Sequence, residues 1–256
     1  MCIRDRPLDY VQIGIPKKKI GTLSDVNGQF RLANAKIEPT DTIIFSYLGY
    51  EQKVIVLSEV LVDDKLEVLL NKELIELPTS TINAKSFGKI KKIGYPKTKG
   101  KSKVTGWKNM PPDKNFYEIG ERGSVIQLSE EVLVKSINFH IAKTDFDSLL
   151  FRVHLYDFED GIIGKELTKN NIFVFTNIKK GWVKISMDDA PITLENDFII
   201  TLEWVEGWTN LTENIVLLSC KSNGGTNVSR DYYSDNSWNF SDNWHTGIFL
   251  EVKPAK

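Results

Sequence analysis

Three histidines are the first residues to examine for metal or acid–base chemistry: His140, His154 and His245. A zinc peptidase needs a His-x-x-Glu pair and a distant third ligand, which leave one coordination position open for water. None of the three has a glutamate three residues later, and on a strand that spacing directs His154 and Asp157 to opposite faces. The sequence also lacks a Gly-x-Ser-x-Gly elbow and a phosphate-binding glycine loop. We therefore predict no catalytic residue, no metal site and no cofactor.

The segment from Asn223 to His245 is the best candidate for a binding site. It interleaves aromatic side chains with Asp and Asn, and because it lacks the period-two pattern of a strand we predict a loop. Aromatic rings can stack on sugar rings while carboxylates and amides hydrogen-bond to the hydroxyl groups. The predicted ligand-binding residues are this segment's aromatic and acidic side chains together with one tryptophan at a strand end: Trp208, Tyr232, Tyr233, Trp238, Trp244, Asp235 and Asp242.

Other interpretations of the same segment stay open. Clustered carboxylates can hold Ca²⁺, although the EF-hand spacing is absent. The segment can equally be a long loop folded over one end of a sandwich, with Trp238 and Trp244 filling the core. Carboxylate pairs that hydrolyse glycosides are defined by their distance in space, so a hydrolase remains an alternative.

Composition narrows the classes of protein to consider. The formal net charge of −1 argues against a general nucleic-acid binder. No apolar run approaches the ~18 residues of a membrane helix, so no transmembrane segment is predicted. Cys220 is expected to be a buried, unreactive residue.

Residues 107–256 carry many short apolar runs separated by turn signals such as Asp160-Gly161 and Lys180-Gly181. This pattern predicts a jelly-roll-like β-sandwich. Period two places Trp204 in the core. It also directs Ile137, Phe139 and Ile141 inward, and the two residues between them outward, namely Asn138 and His140.

Residues 85–106 differ sharply in composition. Eight lysines and no acidic residue lie between Lys85 and Lys103, together with glycine and proline. Because like charges repel and apolar content is low, we predict an extended linker. Such a linker can be a solvated tether, or it can contact an anionic surface of lipid head groups or polysaccharide.

The N-terminal part reads as β from residue 7 to 84. Asn27-Gly28 predicts a type I′ hairpin, which needs positive φ at both central positions. The apolar residues around the turn are expected to bury one face of the hairpin. They are Leu23, Val26, Phe30 and Leu32.

Several motifs in residues 7–84 recur with a specific spacing: Pro7-Leu8-Asp9-Tyr10, Gly21-Thr22, Asn27-Gly28 with Phe30-Arg31-Leu32, and Phe45-Ser46-Tyr47-Leu48-Gly49-Tyr50. With them the segment resembles the carboxypeptidase-regulatory-like domain, a transthyretin-like β-sandwich common in cell-envelope proteins of Gram-negative bacteria. The resemblance implies a location in the periplasm, the outer membrane or the cell surface. Residues 115–252 resemble an uncharacterised sandwich domain that follows the regulatory-like domain in some envelope proteins, which implies architecture but no activity.

Residues 1–6 stand where this family has its first strand, and they lack the apolar region of a signal peptide. We therefore expect a fragment that has lost its first strand and its export signal. The fold class predicted is all-β, with a transthyretin-like sandwich at 7–84, a linker at 85–106 and a larger jelly-roll-like sandwich at 107–256.

The function expected from the sequence is that of a non-catalytic envelope or surface protein whose second sandwich binds a glycan or a protein. One alternative is a structural or assembly component of an outer-membrane system without a small ligand. Another is a glycoside or peptide hydrolase accessory protein.

Overall fold

The computed structural model of the protein describes residues 2–3, 6–18, 20–32, 37–59, 66–73, 86–98, 102–109, 120–209, 214–231 and 237–256. In these residues the chain is nearly all β, and the helical elements are two short 3-10 turns, Pro16–Lys18 and Leu57–Glu59. The predicted all-β class is confirmed. The chain divides into two compact units, 1–77 with 109–120 and 230–237, and 78–108 with 121–229 and 238–256.

The first unit contains a four-stranded antiparallel sheet in the order β4-β3-β5-β6. Alternate residues of its strands, such as Ile13 and Ile15, or Ile43 and Phe45, are buried, as period two requires. A separate pair of short strands, β1 and β2, lies at the N-terminus. The strands are β1 (Cys2–Ile3), β2 (Arg6–Pro7), β3 (Gln12–Ile15), β4 (Ile20–Leu23), β5 (Thr42–Ser46) and β6 (Lys53–Val56).

The turn at Asn27-Gly28 differs from the predicted type I′ hairpin. Gly28 has a φ of 71°, but Asn27 is not among the residues with positive φ. The Asp25 carboxylate accepts hydrogen bonds from the backbone N–H groups of Asn27 (2.8 Å) and Gln29 (2.9 Å), and Gly28 N–H donates to the Asp25 carbonyl. An aspartate at the first position favours a type I turn closed by a left-handed glycine. Val26 is 60% exposed, so its predicted burial is also wrong.

The second unit is built on a network of thirteen hydrogen-bonded strands, whose main path is β12-β11-β16-β9-β17-β10-β19-β7. Further strands branch from this path: β13 pairs with β11, β14 and β15 pair with β10, and β8 and β18 pair with β17. The strands are β7 (Lys91–Gly94), β8 (Ser102–Asn109), β9 (Gly120–Ile126), β10 (Val132–Thr144), β11 (Ser148–Glu159), β12 (Ile162–Glu166), β13 (Ile172–Thr176), β14 (Gly181–Ser186), β15 (Ile192–Leu194), β16 (Phe198–Trp208), β17 (Asn214–Asp231), β18 (Trp238–Thr246) and β19 (Ile248–Pro254).

These strands form two facing layers. Layer A consists of β12, β13, β11, β16 and β9, and layer B consists of β14, β15, β10, β19 and β7, while β17 pairs with a strand of each. The apolar faces meet between the layers, where Phe139 of β10 and Phe151 of β11 make an edge-to-face contact with ring centroids 5.2 Å apart. Each layer therefore has one face in the core and one face that points away from it.

The core predictions made from alternation are confirmed. Ile137, Phe139 and Ile141 are completely buried, and Trp204 is 7% exposed. Cys220 is also buried. Period two was sufficient to identify the three β10 residues and Trp204, because each of them shares a face with the residues two positions away.

The predicted Lys-rich linker is wrong for its described residues. Lys91–Gly94 form β7, which pairs with β19, and Ser102–Asn109 form β8, which pairs with β17. Ile93 packs on the core, and Trp107 is fully buried. Lys91 forms an ion pair with Glu130, so strand pairing and local counter-charges outweigh the repulsion between lysines.

Candidate functional site

The predicted loop from Asn223 to His245 is instead the arms of a β-hairpin. β17 continues to Asp231, and β18 begins at Trp238 and pairs with it. The sequence concealed this because polar residues face solvent on most of β18, which removes the apolar alternation. Tyr232, Tyr233 and Asp235 lie outside the described residues.

The described members of the predicted set differ in environment. Trp238 makes an edge-to-face contact with the buried Tyr156, with centroids 5.2 Å apart, and packs on a small apolar cluster. Trp244 is half-buried. Asp242 is exposed and accepts a hydrogen bond from Thr226 Oγ1 at 2.9 Å. Trp238 therefore packs against apolar side chains on the outward face of layer A. This resembles the alternative in which Trp238 fills apolar space, although the cluster that it joins is separate from the main core.

Trp208 forms an exposed pair with Phe175, which we call the aromatic cradle. Trp208 is 41% exposed and Phe175 is 64% exposed. Their ring centroids are 5.6 Å apart and the planes are inclined by 53°, so the rings make an open V. Phe175 was not among the predicted ligand residues. Its exposure beside Trp208 makes the pair a better candidate for a binding surface than Trp208 alone.

Strand register fixes the cradle on the outward face of layer A. Trp208 lies opposite Ser148 on β11, and Phe175 lies opposite Leu150. Residues 148 and 150 share the face that points away from the core, because Leu149 points into it. The Trp208 carbonyl accepts a hydrogen bond from Asp147 N–H at 2.8 Å, which ties the strand end to the preceding loop.

The residue before Trp208 must be small. A Cβ on Gly207 would lie 2.5 Å from Cδ1 of Phe146, a fully buried ring that also contacts Trp204. The close packing of the Phe146 ring against Gly207 holds the end of β16, and with it the Trp208 backbone, in one position.

The described members of the predicted ligand set are not gathered in one place. Trp208 is level with Ser148 of β11, whereas Trp238 contacts Tyr156 of the same strand. Eight residues at ~3.3 Å each put the two tryptophans roughly 26 Å apart along the sheet. The exposed cradle is thus at one end of the face and Trp238 is at the other.

Between these ends, layer A carries a buried ionic cluster. Arg152 Nε donates to Glu203 Oε2 at 2.6 Å, and His154 contacts the same oxygen through Nε2 at 3.1 Å. The other imidazole nitrogen, Nδ1, contacts Glu166 Oε1 at 2.9 Å. Arg152, His154 and Glu203 are all buried.

A second buried carboxylate extends this cluster. Glu121 is completely buried and accepts hydrogen bonds from the hydroxyl groups of Tyr156 (3.0 Å) and Thr201. Glu121 lies opposite Glu203 in the register of β9 and β16, so the two carboxylates share one face. Two buried carboxylates on one face need neighbouring cations, because an unpaired buried charge strongly destabilises the folded state.

The electrostatics of the cluster keep His154 protonated. Burial alone would lower its pKa, but the negative charges of Glu121 and Glu166 and the hydrogen bonds to Glu166 and Glu203 raise the pKa to about 10. Burial would raise the pKa of Glu203, but the charges of Arg152 and His154 lower it. Both imidazole nitrogens therefore act as donors, and the cluster is a closed set of paired charges.

The sequence contained a signal for this cluster that was not used. Arg152, His154 and Tyr156 alternate with Phe151, Val153 and Leu155 on β11. Period two therefore predicts a polar row on the face opposite the core. That the row is buried could not be read from β11 alone.

Within the described part of the chain, no three His, Cys, Asp or Glu side chains converge as ion ligands. In the same residues, no helix combines the length and apolar character needed to span a bilayer.

The fold defines the protein as all-β, with a small antiparallel sheet in the first unit and a two-layer sandwich in the second. Residues 3–82 match the family model of the CarboxypepD_reg-like domain, which supports the resemblance expected for the N-terminal part. A search of curated proteins finds no match.

Among solved structures, the chain is similar to the cysteine protease and lectin-like domains of Cwp84, a surface layer associated protein of Clostridium difficile. The sequences are 11% identical, and the TM-score is 0.37. The match covers 55% of this chain and 33% of that chain.

Proposed function

We propose that the protein is a non-catalytic cell-envelope or surface protein whose second unit binds a glycan through the aromatic cradle. The observation that carries this proposal is the exposure of Phe175 and Trp208 as an open, inclined pair of rings. Large exposed apolar groups that lie together generally mark an interaction surface. The envelope location is proposed from the match of residues 3–82 to the CarboxypepD_reg-like domain, because the resemblance to that family implies an envelope protein.

A sugar ring suits this cradle better than a purely apolar ligand. Trp208 offers a flat apolar face and an indole N–H donor, the combination that lets tryptophan act where one side is apolar and the other is wet. Pyranose rings have the same dual character, with C–H groups on one face and hydroxyl groups around the edge. The exposed surfaces of Phe175 and Trp208 are where such a sugar ring would pack.

The non-catalytic part of the proposal is supported by the state of the two buried carboxylates of layer A. Glu121 and Glu203 are completely buried and are already hydrogen-bonded to protein groups. A glycosidase needs two carboxyl groups that reach the scissile bond from opposite sides. Carboxylates enclosed in this way suit a structural role.

A second candidate function is docking to another envelope protein during assembly. It is favoured by apolar side chains at the far end of layer A, where Phe240 is 45% exposed and stacks on Phe158. Ile162, at the β11–β12 turn, is 71% exposed. Such a patch suits a protein contact, because the Phe158 and Phe240 rings are stacked on each other, unlike the inclined rings of the aromatic cradle.

Affinity electrophoresis of the full chain through gels that contain neutral glycans tests the proposal. Trp208→Ala and Phe175→Ala should each weaken retention by about tenfold or more, which corresponds to about 1.4 kcal/mol. Phe240→Ala is the matched control, because it removes an exposed ring from the other end of the same face. Failure of every glycan to retard the wild type would reject glycan binding. Loss of an envelope-protein contact in Phe240→Ala alone would favour the second candidate.

A further inference from the structure

The outward face of layer B is a second surface with a different character. Register places His140 beside Trp182, and Asn138 between Lys184 and Phe249. The Trp182 ring makes edge-to-face contacts with His140 (5.1 Å) and Phe249 (4.9 Å). This aromatic trio, His140, Trp182 and Phe249, spans three neighbouring strands, β14, β10 and β19.

Lysines surround the aromatic trio. Lys92 Nζ lies 4.8 Å from the centroid of Phe249, and Lys180 immediately precedes the β14 strand that carries Trp182. Lys184 has a 60% exposed side chain and bonds to Glu251 at 2.6 Å. Asp188, near Lys184, is neutralised by its ion pair with Lys135. The three lysines and Glu251 therefore leave this part of the face with a positive charge, although the whole chain has a net charge of −1.

Buried polar groups hold the surface in place. Ser136 Oγ donates to Glu251 Oε2 at 2.8 Å, and Asn138 Nδ2 donates to Ser136 Oγ at 3.0 Å. His140 Nδ1 lies 2.8 Å from Ser219 Oγ on β17. Because the Glu251 carboxylate is fixed from below, Lys184 is positioned as well, and a ligand would meet a preorganised surface.

We propose that the outward face of layer B binds an acidic polysaccharide, with Lys92, Lys180 and Lys184 contacting its carboxylates and Trp182 packing on a sugar ring. The charge of the face selects a polyanion, since opposite charges at short distance attract. Charges on neighbouring strands suit an extended chain, and the half-buried Trp182 ring among the lysines suits a sugar ring. This inference goes beyond the aromatic cradle, because it concerns the opposite side of the sandwich and a charged ligand.

Binding of polygalacturonate to the full chain tests the inference, with amylose as the neutral control. The wild type should bind polygalacturonate and not amylose at this face, and affinity should fall steeply between about 0.05 M and about 0.5 M salt because the Debye length shortens. The double variant Lys92→Gln/Lys184→Gln should bind at least about tenfold more weakly. Trp182→Leu should also weaken binding, provided that circular dichroism shows a folded protein.

Two controls make the outcome specific. Lys165→Gln removes an exposed lysine of layer A, and Trp208→Ala removes the aromatic cradle, so neither should change polygalacturonate binding. Vesicles containing phosphatidylglycerol test the competing ligand. The inference is overturned if polygalacturonate does not bind, if Lys165→Gln weakens binding as much as the double variant, if folded Trp182→Leu binds normally, or if the lysines matter only for the vesicles.

Discussion

The outward faces of layers A and B are built from the same kinds of side chain and differ in how these are enclosed. On layer A, His154 and Glu203 are buried with Arg152. On layer B, His140 is only half-buried and Glu251 pairs with the exposed Lys184. The comparison shows that strand alternation decides which residues share a face. How far that face is buried decides the pKa values of its ionisable groups and how strongly they must be paired.

The two histidines show the consequence most clearly. Three carboxylates hold the pKa of His154 at about 10 against the effect of burial. For His140, burial lowers the pKa, and the charge of Lys180 lowers it further. His154 is thus a permanent cation at neutral pH that neutralises buried glutamates, and His140 is a neutral ring that can pack on Trp182.

Removing one charge from each face gives the largest expected difference. Glu203→Gln leaves Arg152 and His154 buried without their shared anion, so it should lower the free energy of unfolding by ~3–5 kcal/mol. Glu251→Gln, the matched change on layer B, should alter it by less than about 1 kcal/mol because its partner is solvated. Urea unfolding of both variants measures this, and equal losses would show that the faces are not enclosed differently.

The pH dependence of stability should separate the two histidines next. The pKa of His154 is about 10 in the folded state, against an ordinary value of 6.5. Its contribution is fully present below pH 6.5 and is lost as pH rises toward 10, because the folded state then holds a proton that the unfolded state has released. The slope is at most about 1.4 kcal/mol per pH unit. His154→Gln should remove this slope from unfolding curves between those pH values.

Nuclear magnetic resonance provides an independent check on His154. Its imidazole ring signals should stay at the positions of the protonated form through neutral pH. Titration of His154 near its ordinary pKa, while the protein remains folded, would contradict the buried ion cluster.

His140 should act in the opposite direction and more weakly. Its pKa is lowered in the folded state, so the unfolded state binds the proton first as pH falls through 6.5. Stability should therefore rise with pH in this acidic window. His140→Gln should reduce that rise in acid unfolding curves. The pKa of His245 is also lowered by burial, so His245 should still contribute to the rise of stability with pH in the His140→Gln variant.

Local patterns predicted much of the fold but little of the ionic cluster. Trp204 and Phe139 could be assigned to the core because their own strands contain the necessary alternation. Arg152 meets Glu203 across 51 residues of sequence, and Thr201 meets Glu121 across 80. Such pairs depend on the register between distant strands, which local periodicity does not specify.

The prediction of a linker for the Lys-rich segment was wrong for a related reason. Its composition indicates a chain that repels itself, and composition takes no account of what lies next to it. β19 supplies backbone partners for β7, and Glu130 and Phe249 supply partners for two of the lysines. A strand that forms only through distant partners cannot be recognised from its own residues.

The smallest expected effect concerns Lys92, where layer B meets that segment. Its ammonium group lies over the Phe249 ring but is exposed, and cation–π contacts at exposed sites contribute about 0.5–1 kcal/mol. Lys92→Gln should therefore lower the free energy of unfolding by no more than about 1 kcal/mol, and Lys165→Gln should leave it nearly unchanged. A larger loss would mean that Lys92 holds β7 on the sheet. A small loss means that weakened polygalacturonate binding reports the removed charge, because the face beneath it is intact.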